Sequence, residues 1–163
     1  MPGTITLIRY NGTEKHALAE SNAFATRTEV NGKPQIMLWF ETETETETEP
    51  LQVFPDSDEL LSNPDAELTI YLDTLKLDVF APLEFTIAQG YNENSRSLDA
   101  RLYYFEHQEV NDNRGRIEYR GNGVFYVYWT GTTMDVNYYD GSKPDTRLEL
   151  EGEFTMEKYV EWL

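Results

Sequence analysis

The chain has 163 residues, 39% hydrophobic and 13% aromatic, enough to bury a core without covalent staples. Thirty acidic residues against thirteen basic ones give a formal charge of −17, a field that repels nucleic-acid phosphates and anionic headgroups and attracts basic partners or cations. Cysteine is absent, which excludes disulfides, thiolate metal sites and a cysteine nucleophile. No apolar run approaches the roughly 18 residues of a membrane span. The start, MPGTITLIRYNGTEKH, has no basic region followed by an apolar stretch, so a cytoplasmic location is expected.

Residues 4–10 predict a strand that ends at Asn11-Gly12. A second strand is expected over 35–40, with Ile36, Leu38 and Phe40 on one face and Met37 and Trp39 on the other. Ser57-Asp58-Glu59-Leu60-Leu61 has the form of a single capped helical turn. Leu68, Ile70 and Leu72 fall on even positions, but Leu75, Leu77 and Val79 fall on odd ones. A strand through that phase change needs a bulge or a bend near Asp73-Thr74. Leu83, Phe85 and Ile87 continue a strand that stops at Gly90.

From Leu98 to Met156 the period of two is clean and predicts a meander of about five strands. It begins with a strand over 98–107. Gly121-Asn122-Gly123 is a tight-turn signal joining 115–120 to Val124-Phe125-Tyr126-Val127-Tyr128-Trp129. That last run is apolar on both parities and predicts a central strand covered on both faces. Thr130-Gly131-Thr132 is expected to turn the chain into 133–139. Leu148, Leu150, Phe154 and Met156 share one face of the final strand, and Arg147, Glu149, Glu151 and Glu153 share the other. Gly152 interrupts the apolar row, as a bulge or a close backbone approach would. Met156, Tyr159, Val160 and Leu163 have the spacing of a short C-terminal helix. The expected fold is one all-β domain over 1–163 with minor helix: an antiparallel β-sandwich or flattened barrel of about 8–10 strands.

The acidity is uneven. Between Pro34 and Leu75 lie eleven carboxylates and no lysine or arginine: Glu41, Glu43, Glu45, Glu47, Glu49, Asp56, Asp58, Glu59, Asp65, Glu67 and Asp73. The other residues carry nineteen acids and thirteen bases. As a strand, the Glu-Thr repeat of 41–49 puts threonines on the face of Ile36 and Leu38 and glutamates on the other, about 6.6 Å apart. At that spacing they repel within the Debye length, which suits an exposed edge; the alternative is a loop ended by Pro50. The stretch reads either as a solvated face or as an acidic binding surface.

Other constellations are weaker. Glu106-His107-Gln108-Glu109 supplies an imidazole near carboxylates, with His107 and Glu109 sharing a strand face; the other histidine is His16. Asp135, Asp140 and Asp145 are oxygen ligands of the kind calcium prefers, though their spacing first suggests a turn. Arg114, Arg116, Tyr119 and Arg120 form the one locally basic patch, able to hold an anion or to pair with the protein's own acids. No nucleophile elbow, zinc-protease motif, phosphate loop or dinucleotide fingerprint is present. The expectation is therefore a non-enzymatic binding protein that recognises a protein or small ligand, in its sharper version a basic protein met by the acidic surface of 34–75, as an immunity protein, inhibitor or DNA mimic does. It is not expected to bind nucleic acid directly. The alternative is a small hydrolase or a cation-dependent carbohydrate-binding domain using clustered carboxylates.

Overall fold

The computed structural model describes residues 3–45, 63–135, 138 and 140–156. The expected turn at 57–61 and the expected C-terminal helix fall outside the described residues. The strands are β1 (Thr4–Arg9), β2 (Gly12–Val30), β3 (Lys33–Thr44), β4 (Asp65–Leu72), β5 (Leu83–Ile87), β6 (Tyr91–Asn92), β7 (Ser97–Leu98), β8 (Ala100–Tyr104), β9 (Glu106–Glu109), β10 (Asn111–Tyr119), β11 (Val124–Thr133) and β12 (Thr146–Thr155). Ten of them form one antiparallel sheet in the order β5-β10-β11-β12-β1-β2-β3-β4-β8-β9, and β6 pairs with β7.

The sheet folds over on itself as a flattened barrel. Phe40 of β3 packs edge-on against Phe125 of β11 at 5.9 Å and Phe154 of β12 at 5.3 Å, across the interior. At the seam, β9 runs through Val110 into β10, and this bent segment bonds to both sides. The Val110 N–H donates to the Ala100 carbonyl at 3.0 Å, and the Thr133 hydroxyl donates to the Glu109 carbonyl at 3.0 Å. Alternation then decides what is buried: Ile5, Leu7, Leu38, Leu68, Ile117, Val127, Leu148 and Leu150 all point inward and are almost fully buried. Trp129 joins them because its indole N–H finds the Asn113 side-chain oxygen at 2.8 Å.

Several local expectations are met. β12 alternates as read, and Gly152 holds its place in the apolar row because the backbone of Gly3 crosses there: an added Cβ would lie 2.9 Å from the Gly3 Cα. Gly121, Asn122 and Gly123 all have positive φ and close the β10–β11 hairpin.

Four expectations are corrected. The chain does not turn at Thr130-Gly131-Thr132; β11 continues to Thr133. Gly131 is needed there because Val110 and Asn113 pack onto its backbone, so that a Cβ would lie 2.7 Å from the Asn113 side-chain oxygen. Residues 75–79 are not a strand: Leu75 drops into the core and Leu77–Val79 is a 3₁₀ turn, which removes the need for a bulge at the phase change. β11 is central but covered on one face only, since Tyr128 is 38% exposed and its hydroxyl can stay in water. The Leu98–Met156 meander has β8 to β12 in chain order, but β9 and β10 are consecutive halves of one bent path and not a hairpin.

The 19-residue β2 was not foreshadowed. A register shift between Leu18 and Glu20 switches its inward set from Glu14, His16 and Leu18 to Ala23, breaking the period that would announce a strand.

Candidate functional site

The acidic stretch is built into the outer face of β2, β3 and β4. Inward Ile36, Leu38, Phe40, Thr42 and Thr44 force the odd-numbered side chains of β3 outward. Thr42 exchanges hydrogen bonds with the backbone of Ala66, and the Thr44 hydroxyl donates to the Pro64 carbonyl at 2.8 Å. These bonds, with Glu45 N–H to the Ala17 carbonyl, set Glu41, Glu43 and Glu45 between β2 and β4 and not on a sheet edge. Glu47, Glu49, Asp56, Asp58 and Glu59 lie outside the described residues.

Register then aligns the carboxylates in rows. Glu20 of β2 stands opposite Glu43, and Asp65 of β4 feels the charge of Glu43 and stands opposite Tyr103, which stands opposite His107. In the next row come Asn22, Glu41, Glu67, Arg101 and Glu109. Neighbouring strands are about 4.8 Å apart, so side chains within a row crowd one another. Glu41 accepts the Trp39 indole N–H at 3.0 Å, and Glu67 pairs with Arg101 at 2.6 Å. Among the described residues Asp65 has no such cation. Burial lifts its carboxyl, a hydrogen bond from the Thr44 N–H partly opposes this, and Glu43 and Glu67 add to the rise, leaving it at about 6. Asp65, Glu67, Arg101, Tyr103 and His107 line a shallow recess of about 270 Å³.

His107 is exposed there and lies against the Tyr103 ring, 4.7 Å between centroids. Glu109 shares its face, as the spacing predicts, but its carboxylate is taken by the Tyr91 N–H at 2.6 Å and by Asn111 at 3.5 Å.

The arginine–tyrosine patch is divided. Arg114 and Arg116 face outward beside Tyr128, on a recess of about 400 Å³ shared with Glu84, Thr86 and Thr130. Arg116 pairs along β10 with Glu118 at 2.9 Å and across to Glu84 of β5 at 3.5 Å, the latter being the cross-strand pairing weighed from sequence. Arg120 lies over the Tyr126 ring at 4.3 Å. Tyr119 turns away: its hydroxyl accepts the Gly123 N–H at 2.8 Å and its ring packs on Phe125.

A second polar cluster escaped the sequence reading. Arg9, Glu14, His16, Tyr104, Asp135 and Thr146 point into one end of the barrel and are fully or almost fully buried. The Arg9 guanidinium grips Asp135 with two donors, at 2.8 and 3.0 Å, and Glu14 with a third at 2.6 Å. Glu14 also accepts the Tyr104 hydroxyl at 2.7 Å and lies 2.9 Å from His16 Nε2. Burial alone would raise the Glu14 carboxyl, but His16, Arg9 and Tyr104 together hold it below its ordinary value. Burial likewise opposes the charge on Arg9, and Asp135 and Glu14 more than offset it. Among the described residues His16 Nδ1 has no hydrogen-bond partner. Asp135 is thus an inward anchor also held by Thr146 at 2.9 Å, whereas Asp140 is exposed and accepts the Ser142 N–H, and Asp145 is exposed. Among the described residues no group of three or more histidine or carboxylate side chains is arranged to hold a metal ion. The available signal for this cluster was that Arg9 shares the parity of Ile5 and Leu7 in β1, and Glu14 and His16 that of Leu18 in β2.

No protein-family model matches the chain, and neither a curated protein nor a solved structure matches it.

Proposed function

We propose that the protein is a non-enzymatic binding protein that recognises a basic protein through the acidic outer wall of β2, β3 and β4, in the manner of an immunity protein, an inhibitor or a DNA mimic. One observation carries this reading: Glu20, Glu43 and Asp65 are aligned in one row, Glu41 and Glu67 in the next, with Arg101 pairing to Glu67 alone among the described wall acids. Solubility does not require that arrangement, since scattered carboxylates solubilise without mutual repulsion. A basic partner relieves the repulsion, speeds its own association and makes binding salt-sensitive. The test is affinity capture from the source cell with the wild-type chain and with E43Q/D65N/E67Q, at low and high salt. A basic protein should be retained by wild type at low salt and released by the triple substitution and by salt. Retention that ignores both changes refutes the proposal.

A second reading, a small hydrolase, draws on the Asp65 recess. A carboxyl raised to about 6, lining one recess with a second carboxylate that pairs with Arg101, places two acids in different surroundings, as acid–base chemistry uses. Turnover of a chromogenic ester or glycoside that survives D65N and E67Q would remove it.

A further inference from the structure

Opposite the acidic wall, the outer face of β10 carries two arginines. Phe40 of β3 meets Phe125 of β11 across the interior, so the outward side chains of β11 and its neighbour β10 point away from those of β3. Arg114 and Arg116 stand two apart on that face, about 6.6 Å from each other along the strand. Register sets a row across each of them. Arg114 lies between Thr86 of β5 and Thr130 of β11, and Arg116 lies between Glu84 and Tyr128. Together they line the recess of about 400 Å³.

The donors in this recess are largely uncommitted. Among the described residues Arg114 pairs with no carboxylate, in a chain with thirty acids, and the hydroxyls of Thr86, Thr130 and Tyr128 make no hydrogen bond. Arg116 is partly spent: its Nε–H donates to Glu118 at 2.9 Å. Its contact with Glu84 is 3.5 Å long, and that carboxylate is 81% exposed. So open a pair contributes little and gives way to a better acceptor.

From this arrangement we infer that the recess between β5, β10 and β11 binds the phosphoryl group of a small phosphomonoester. The Arg114 guanidinium supplies a two-donor fork, the Thr86 and Thr130 hydroxyls close on it from either side, and Arg116 supplies the second positive charge. A phosphoryl group offers three acceptor oxygens to these donors, one more than a planar carboxylate. The Tyr128 ring, 38% exposed, is the surface on which the organic part rests. Position moderates repulsion by the −17 charge: the carboxylates of β2, β3 and β4 project from the far wall, and exposed charges more than about 8 Å apart are largely screened at physiological salt. The inference goes beyond the acidic-wall reading and does not depend on it.

The test is an NMR titration of the full chain with phenyl phosphate, inorganic phosphate and benzoate, following the backbone amides. Phenyl phosphate should give saturable shifts at residues 84–86, 114–116 and 128–130. Inorganic phosphate should give the same shifts with weaker binding, and benzoate should bind at least tenfold more weakly than phenyl phosphate. R114Q should weaken phenyl phosphate at least tenfold. K15Q, which removes an equal exposed charge three strands away from β11, should leave binding unchanged. The amide spectrum of each variant reports that the fold is kept. Equal losses in R114Q and K15Q mean general attraction to positive charge and overturn the site. Absence of saturable shifts with phenyl phosphate, or saturation at other residues, overturns it as well. Benzoate binding as tightly as phenyl phosphate overturns the phosphoryl assignment, and inorganic phosphate doing so overturns the ester in favour of free phosphate.

Discussion

Replacing Asp65 with asparagine isolates the cost of the acidic wall. Burial and the charges of Glu43 and Glu67 move this carboxyl from 3.8 in the unfolded chain to about 6 in the fold. An acid whose folded value is raised favours the folded state while it is protonated. Its contribution is complete below the unfolded value and is lost as pH rises through the folded one. The full linkage corresponds to about 3 kcal/mol, and the partly open side chain reduces the expected effect to about 1–2 kcal/mol. Asparagine keeps an oxygen to accept the Thr44 N–H, so little else changes. Urea unfolding of both chains from pH 3.5 to 8 should show near-equal stability at the acid end. A gap in favour of D65N should open between about pH 4 and 6 and stay level above pH 7. A gap independent of pH, or an asparagine variant less stable at pH 7.5, refutes the reasoning. The same variant should bind a basic partner more weakly, so that stability and affinity move in opposite directions.

R9M should cost about 3–5 kcal/mol by urea unfolding, because it leaves Glu14 and Asp135 buried without their cation. Glu14, held below its ordinary value, stabilises the fold above about pH 4.5, and that stability is lost as pH falls through its folded value. Thermal melts of E14Q should be less stable than wild type near pH 7 and should close on it toward pH 3. G131A should cost about 1–3 kcal/mol, since Val110 and Asn113 must move to admit the methyl group.

The all-β fold was legible because β12 alternates along its length, β11 is a run of β-branched and aromatic residues, and Gly121-Asn122-Gly123 marks the turn between β10 and β11. What escaped has identifiable causes. The bulge at Leu18–Glu20 divides β2 into two half-strands of opposite parity, and neither is rich enough in apolar residues to stand out. Its end was nevertheless marked, since Asn31 and Gly32 with φ of 52° and 79° form the two-residue hairpin turn that leads into β3. Gly131 resembles a turn residue because a sequence does not distinguish a glycine that bends the chain from one that lets Asn113 approach it. The Arg9–Glu14–Asp135 cluster joins residues more than a hundred positions apart, and only the β1–β12 and β11–β12 pairings bring them together. The acidic wall was half legible. Glutamates alternating from 41 to 45 predicted a charged face, but Glu20 entered the row through a strand the periodicity did not announce.

The two carboxylate groups of the molecule are treated in opposite ways, and the contrast bears on function. Inside the barrel, Arg9 grips Glu14 and Asp135, and Tyr104 and Thr146 supply further donors. Outside, on the outer face of β3 and β4, Asp65 sits among Glu43 and Glu67 with its charge opposed. Cations for that wall exist elsewhere on the surface: Lys33 pairs with Asp73, Arg116 with Glu118 and Arg147 with Glu149, all at well-exposed positions where a pair contributes little. Moving one such cation beside Asp65 would lower the crowding at no cost to the core. Stability alone therefore favours a different charge arrangement from the one present. The proposed recognition of a basic partner would account for the arrangement, because relief of that repulsion on binding adds to the binding free energy.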